Sequence, residues 1–398
     1  MKVGIKSTVN KIMLLQIIWI LYFGIIYSYY PKIALLSYLP DVLNVMLLCC
    51  ILKNFKKGIR KEALLLFLFV AFVGASFVWG DLNWYYVFST GRRYISAALT
   101  FYAASEYLTK ECWEKGINIL LISQGINVLL TGYQNLVMKL HPDFCNGIFG
   151  FMTYDNALQG ILSLSISVIA MVYFIDKKWS AGKTLYAIGT SCIVCAFAEI
   201  KAYYILILAA FIVTFFFRCN NQKVRRKIIN FILIVGILFW AAYKILQAVF
   251  PANLEIFFNI SSYVLYEEYG ARGGAGRLST IPYIYNTVFN KNIVDTLFGV
   301  GLGSAANDYA YTVGKIFISF GAIGMGMFLL WLITVFMENC RRVKKSSEAL
   351  ICMVMAAMVF VTMLVWNGLF TQTCFLVFWI LGAYNITINQ TKIKAHCN

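Results

Sequence analysis

Charge is scarce in this chain. Only 13% of its 398 residues are Asp, Glu, Lys or Arg, while 61% are hydrophobic. That ratio excludes an ordinary soluble globular protein. Histidine is rarer still, with His141 and His396 alone. The topology below puts them on opposite sides of a membrane, so no histidine metal site is expected. Acidic residues number 17 against 34 basic, a net charge of +17. Such an excess could serve nucleic acid, but it is spent in short clusters between apolar runs. That is the pattern of the positive-inside rule, and no nucleic-acid partner is expected. There is no soluble domain, no low-complexity linker and no clear internal repeat.

Long apolar runs are what the sequence does have, with a mean hydropathy of +0.75. Ile12 to Tyr30, Ala63 to Trp79 and Ile228 to Phe250 each approach the roughly 20 residues that cross a bilayer. The first follows a basic start, as a signal peptide would. No small-residue cleavage site follows it and more spans do, so it reads as a retained span. The expected fold class is all-α, a polytopic integral membrane protein forming one domain over 1–398. About 12 spans are expected, at 12–30, 33–52, 63–79, 86–108, 116–138, 158–175, 184–200, 202–217, 228–250, 309–337, 349–368 and 372–389. The second carries Pro40 and Asp41. The fourth carries Arg92 and Arg93 and is expected to start after them.

Of the 34 Lys and Arg residues, 24 fall in alternate connecting segments. Those segments are therefore cytoplasmic, with both termini inside. Of the eleven cysteines, only Cys145 is then on the outer side, so no outer disulfide framework forms. Cys192 and Cys195 have a Cys-x-x-Cys spacing inside a span. With no second pair nearby, they read as two small buried apolar residues.

The outer side keeps three notable segments: 139–157, the tight turn Glu199-Ile-Lys201, and a large loop at 251–308. So long an irregular segment is stable only outside the hydrocarbon. It places Arg272 and Arg277 where positive charge is normally avoided. Gly270, Gly273, Gly274, Gly276 and the more distant Gly299 let backbone amides approach a ligand closely. The guanidinium fork suits phosphate oxygens, so the pair suits a diphosphate. The alternative is a flexible loop with solvated arginines. Leu278, Ile281, Tyr285, Val288 and Phe289 then recur at roughly helical spacing, with Asn286, Asn290, Lys291 and Asn292 on a polar face. This predicts a short helix lying on the membrane surface. Gly299-Val-Gly-Leu-Gly303 imitates a dinucleotide fingerprint but lacks the surrounding βαβ unit, so it reads as a tight turn. Lys201 either snorkels, pairs with Glu199, or binds an anion.

The order of these features resembles the O-antigen ligase/polymerase superfamily, the Wzy-type polymerases of lipopolysaccharide and capsule. The likeness rests on Asn146-Gly-Ile-Phe-Gly150 with Asn156, Glu199-Ile-Lys201, Gly276-Arg277, Leu297 to Ser304, and a span opening Ile318 to Gly324. It covers approximately 140–325. It implies a metal-independent glycosyltransferase without a cofactor, in the bacterial cytoplasmic membrane. Its substrate would be an undecaprenyl-diphosphate-linked oligosaccharide, with a flippase and chain-length regulators as partners. Arg277, and behind it Arg272 and Lys201, would hold the diphosphate. A carboxylate would deprotonate the acceptor hydroxyl. Ligases keep a histidine in the segment that here reads Ala305 to Tyr311, and this chain has none there. That favours polymerase and makes Asp308 the first candidate base, ahead of Glu199, Glu267 and Glu268. Asp308 is equally well placed to cap the next span. Two other readings compete: a ligase, which transfers once and makes no ladder, and a lipid-linked oligosaccharide flippase, which tends to show two similar halves.

Overall fold

Apolar runs of this length become helices because a chain in lipid must satisfy its own backbone. The computed structural model describes residues 2–53, 59–80, 83–151, 156–218, 279–304, 311–344, 346–365 and 374–386, with scattered positions between 226 and 247. The described residues are 86% helical, with no strand among them. In chain order the helices are α1 (Lys2–Tyr29), α2 (Leu39–Leu52), α3 (Lys61–Ala75), α4 (Trp84–Tyr107), α5 (Lys110–Gly132), α6 (Ala157–Ile175), α7 (Ala181–Phe197) and α8 (Lys201–Arg218). After them come α9 (Ile293–Phe298), α10 (Thr312–Cys340), α11 (Ser347–Val365) and α12 (Cys374–Gly382). Among the described residues, eight helical stretches are long and apolar enough to cross a membrane. They hold α1, α2, α3, α5, α6, α8, α10 and α11. Helix α4 coincides with a further expected span, and α7 and α12 are shorter apolar helices that coincide with two more. The expected span 228–250 and most of the expected loop, 251–278, lie outside the described residues.

The charged segments assigned to one side of the membrane do share one face. Asn10 near the start of α1 donates to the Tyr107 carbonyl at 3.0 Å, and its side-chain oxygen accepts the Thr109 N–H at 3.2 Å. Arg60 pairs with Glu106 at 2.7 Å, and Lys61 pairs with Glu338. Arg218 bonds the Val343 carbonyl and pairs with Asp176 at 3.0 Å. Lys178 pairs with Glu348 at 2.7 Å, and Arg342 donates to the Asn385 side chain at 2.8 Å. These contacts join six of the seven basic segments into one network, and the seventh, 390–398, lies outside the described residues. Alternation follows: helices that start at this face end at the other.

Helix α6 is buried on every side, as expected of a helix apolar all round. Aromatic stacking closes the core beside it, with Trp113 and Trp379 rings 4.6 Å apart. Cys192 and Cys195 are both buried in α7.

Helix α4 corrects one expectation. It starts at Trp84, capped by the Asn83 side chain, and not after its arginines. Arg92 is tolerated inside the helix because Asp41, in the first turn of α2, pairs with it at 2.7 Å. The Tyr38 ring also lies 4.8 Å from the guanidinium. The acid that weakened the second span is therefore the partner that the fourth requires.

Candidate functional site

On the face opposite the charge network, three segments that lack regular structure are held by named polar groups. The first is the stretch from Cys145 to Gly150, which is buried throughout. Buried irregular backbone needs partners. At the end of α5 the turns widen over Tyr133–Val137 and present Gln134. Its side-chain oxygen accepts the Gly147 N–H at 2.7 Å, and its amide donates to the Gly147 carbonyl at 3.1 Å. Asn127 accepts the Ile148 N–H at 3.0 Å. Gln159 donates to Thr131 at 3.1 Å and bonds Asn127. Gln124 extends the network to Ser163 at 2.9 Å. Beyond Gly150, the Ser28 hydroxyl of α1 accepts the Phe151 N–H at 3.0 Å. Sequence reasoning passed over these residues. The signal was present: Gln124, Asn127, Thr131 and Gln134 recur at helical spacing along an apolar helix.

This clamp gives a direct expectation. Burial pushes the Cys145 thiol up to about 11, against a hydrogen bond from Asn135, with the Glu199 and Asp143 carboxylates adding to the rise. At pH 8 the thiolate is then about one part in a thousand, and thiolate is the reactive form. Native Cys145 should resist a membrane-impermeant maleimide. Gln134→Ala strips both Gly147 backbone groups of their partner, at roughly 1–3 kcal/mol for each buried group. Labelling of Cys145 should then rise at least tenfold. Unchanged labelling would mean that the loop is not held there.

The second segment is the Glu199-Ile-Lys201 turn. Helix α7 ends with Glu199 in the left-handed region, φ 50°. The Ile200 N–H bonds back to the Cys195 carbonyl at 2.8 Å. Glycine or asparagine usually fills this position. A glutamate there costs roughly 1–2 kcal/mol. Two asparagines secure the exposed carbonyls of the helix end: Asn135 donates to Phe197 O at 3.0 Å and Asn156 to Ala198 O at 3.2 Å. The Asn156 amide also donates to Asp143 Oδ1 at 3.2 Å. So the Asn146 element, Asn156 and the Glu199–Lys201 turn, well separated in sequence, form one cluster.

The third segment is Gly299 to Ser304. It docks against a break in α10, where Gly321 adopts φ 61° and ψ −164°. The break frees carbonyls of the first half-helix. Val300 N–H bonds Ile318 O at 2.8 Å and Gly301 N–H bonds Ser319 O at 3.0 Å. On its other side the turn meets Gly80, just beyond α3. The expected tight turn is thus present, and it repairs a broken helix. The helical segment before it, Thr280–Tyr283 continuing through Ile284–Val288, lays Ile284 and Phe289 on Phe317 and Ile318. Of the expected apolar stripe, Ile281 and Phe289 pack inward, while Tyr285 and Val288 are exposed. Leu278 lies outside the described residues. Among the described residues no three His, Cys, Asp or Glu side chains converge as metal ligands would.

No family model and no curated protein matches this chain.

Of the candidate site residues, Glu199 and Lys201 stand in the second segment, both half-buried. Arg272, Arg277, Glu267, Glu268 and Asp308 lie outside the described residues.

Proposed function

We propose that this protein polymerises undecaprenyl-diphosphate-linked oligosaccharide repeats into a surface polysaccharide, on the outer face of the bacterial cytoplasmic membrane. In this reading the charge-network face is cytoplasmic, both termini lie there, and about twelve spans carry one large outer loop over 251–308. The observation that supports it best is the cluster of Asn146 to Gly150, Asn156 and Glu199 to Lys201 on the face opposite the basic network. These are the elements that carry the family resemblance, and irregular backbone held rigidly beside a membrane is what a lipid-headgroup site needs.

The reaction leaves a diphosphate. Arg277, Arg272 and Lys201 balance its charge as the sugar carbon departs, the preorganised electrostatic work that dominates many barriers. A carboxylate takes the proton of the acceptor hydroxyl. From the sequence, Asp308 leads for that role, with Glu199 and Glu268 behind it.

The test is product length. Membranes holding the full-length protein, given lipid-linked repeat isolated from source cells that lack it, should make a ladder of longer lipid-linked glycans. A single transfer to a different acceptor, without a ladder, would assign a ligase. Movement of labelled lipid-linked sugar across the bilayer, with no change of length, would assign a flippase. Either result ends the polymerase reading.

A further inference from the structure

Among the described residues the half-exposed acids of the cluster are Glu199 and Asp143. Glu199 is fixed by a strained helix end. Asp143 is not among the carboxylates that stand out in the sequence, yet its surroundings are the more suggestive. It lies in the turn Pro142–Phe144, directly before the clamped stretch. Its Oδ1 accepts the Asn156 amide at 3.2 Å. The same amide bonds Ala198 O, three residues before Lys201. One side chain therefore ties this carboxylate to the turn that ends in a lysine.

The other oxygen is open. His141 Nδ1 lies 3.6 Å from Asp143 Oδ2. That nitrogen already accepts the Asp143 backbone N–H at 3.3 Å, so in neutral imidazole it has no proton to donate. Among the described residues Oδ2 then accepts no hydrogen bond. The Asp143 side chain is 45% exposed, so a hydroxyl can reach it from water. A carboxylate oriented through one oxygen and open through the other has the geometry of a general base.

We propose that Asp143 is the catalytic base that deprotonates the acceptor sugar, with Asn156 as its positioning residue. This rests on the polymerase reading and deepens it, putting Asp143 in the role that the sequence alone gave first to Asp308. The acceptor O–H gives its proton to Oδ2 as its oxygen bonds the anomeric carbon. The bond from that carbon to the diphosphate oxygen breaks, and the electron pair leaves on the diphosphate. Lys201 stands on the leaving-group side, and Asp143 returns its proton to water.

The experiment uses the full-length protein in nanodiscs with the isolated lipid-linked repeat, measuring kcat, KM and thermal unfolding. Asp143→Asn should lower kcat about 100-fold or more, the usual share of a general base. KM and unfolding should not change, and Asp143→Glu should restore part of the loss. Asn156→Ala should lower kcat about tenfold at unchanged KM. Glu111→Gln, an exposed acid on the opposite face, serves as the matched control and should behave as wild type. Wild-type kcat in Asp143→Asn overturns the assignment while leaving the polymerase reading intact. A loss confined to KM does the same, since it marks a binding role. No ladder from the wild-type protein ends the polymerase reading and this assignment with it.

Discussion

Alanine at Gly301 should destabilise the protein by about 4 kcal/mol or more, in the range reserved for severe single substitutions. Two costs add. The residue sits at φ 98°, beyond the left-handed well that L-residues can occupy. A side chain held there costs on the order of 1–3 kcal/mol. The added Cβ would also stand 2.3 Å from Gly80 Cα, 2.5 Å from Gly80 N and 2.9 Å from Ser76 O. Two of these atoms are backbone of the chain leaving α3 and the third ends that helix, so no flexible side chain can give way. Undocking the turn would in addition expose the Ile318 and Ser319 carbonyls at the break in α10. Purified protein should unfold at a clearly lower temperature or lose its monodisperse elution. Gly326→Ala is the control, because nothing lies within 4 Å of that Cβ. There alanine should be neutral or gain up to about 1 kcal/mol. Equal unfolding of the two variants would show that the turn does not dock on Gly80.

Arg277→Ala should reduce ladder formation about 100- to 1,000-fold at normal protein level, the usual loss for one preorganised group facing developing charge. The reasoning is electrostatic. A diphosphate leaves with more negative charge than it carries in the bound substrate, so a guanidinium beside it favours the transition state over the ground state. The loss should fall on kcat/KM, and chiefly on kcat if the arginine meets the leaving oxygen. Arg277→Lys should recover only part of it, since an ammonium keeps the charge without the planar fork. Arg272→Ala, in the same loop, should cost less. Full ladder formation by Arg277→Ala would remove the diphosphate role from this loop.

The two predictions draw on different parts of the sequence record. The Gly299–Gly303 turn was legible as a turn, because repeated glycine has few other uses before an apolar run. What it docks on was not legible. Gly80 and the break at Gly321 lie far from it in sequence, and a single glycine inside an apolar run carries no local sign of a broken helix. The Glu199–Lys201 turn was likewise readable as two charges between apolar runs. Its left-handed backbone was not, since glutamate is a poor choice there. The polar residues of α5 were visible at helical spacing, yet nothing local names Gly147 as their partner. Asp143 could not be told from other loop acids until Asn156 was seen to hold it.

By itself the sequence determined the helical class, the positions of most helices and their alternation between two faces. Those depend on run length, apolarity and the spacing of basic clusters, all local quantities set by the cost of placing polar groups in lipid. The tertiary structure alone decided how exceptions to that cost are met. Asp41 neutralises Arg92, Gln134 and Asn127 replace the helical ladder for the stretch from Cys145 to Gly150, and Gly301 seals the break in α10. Each is a contact between segments remote in sequence, satisfied by geometry that no local pattern encodes.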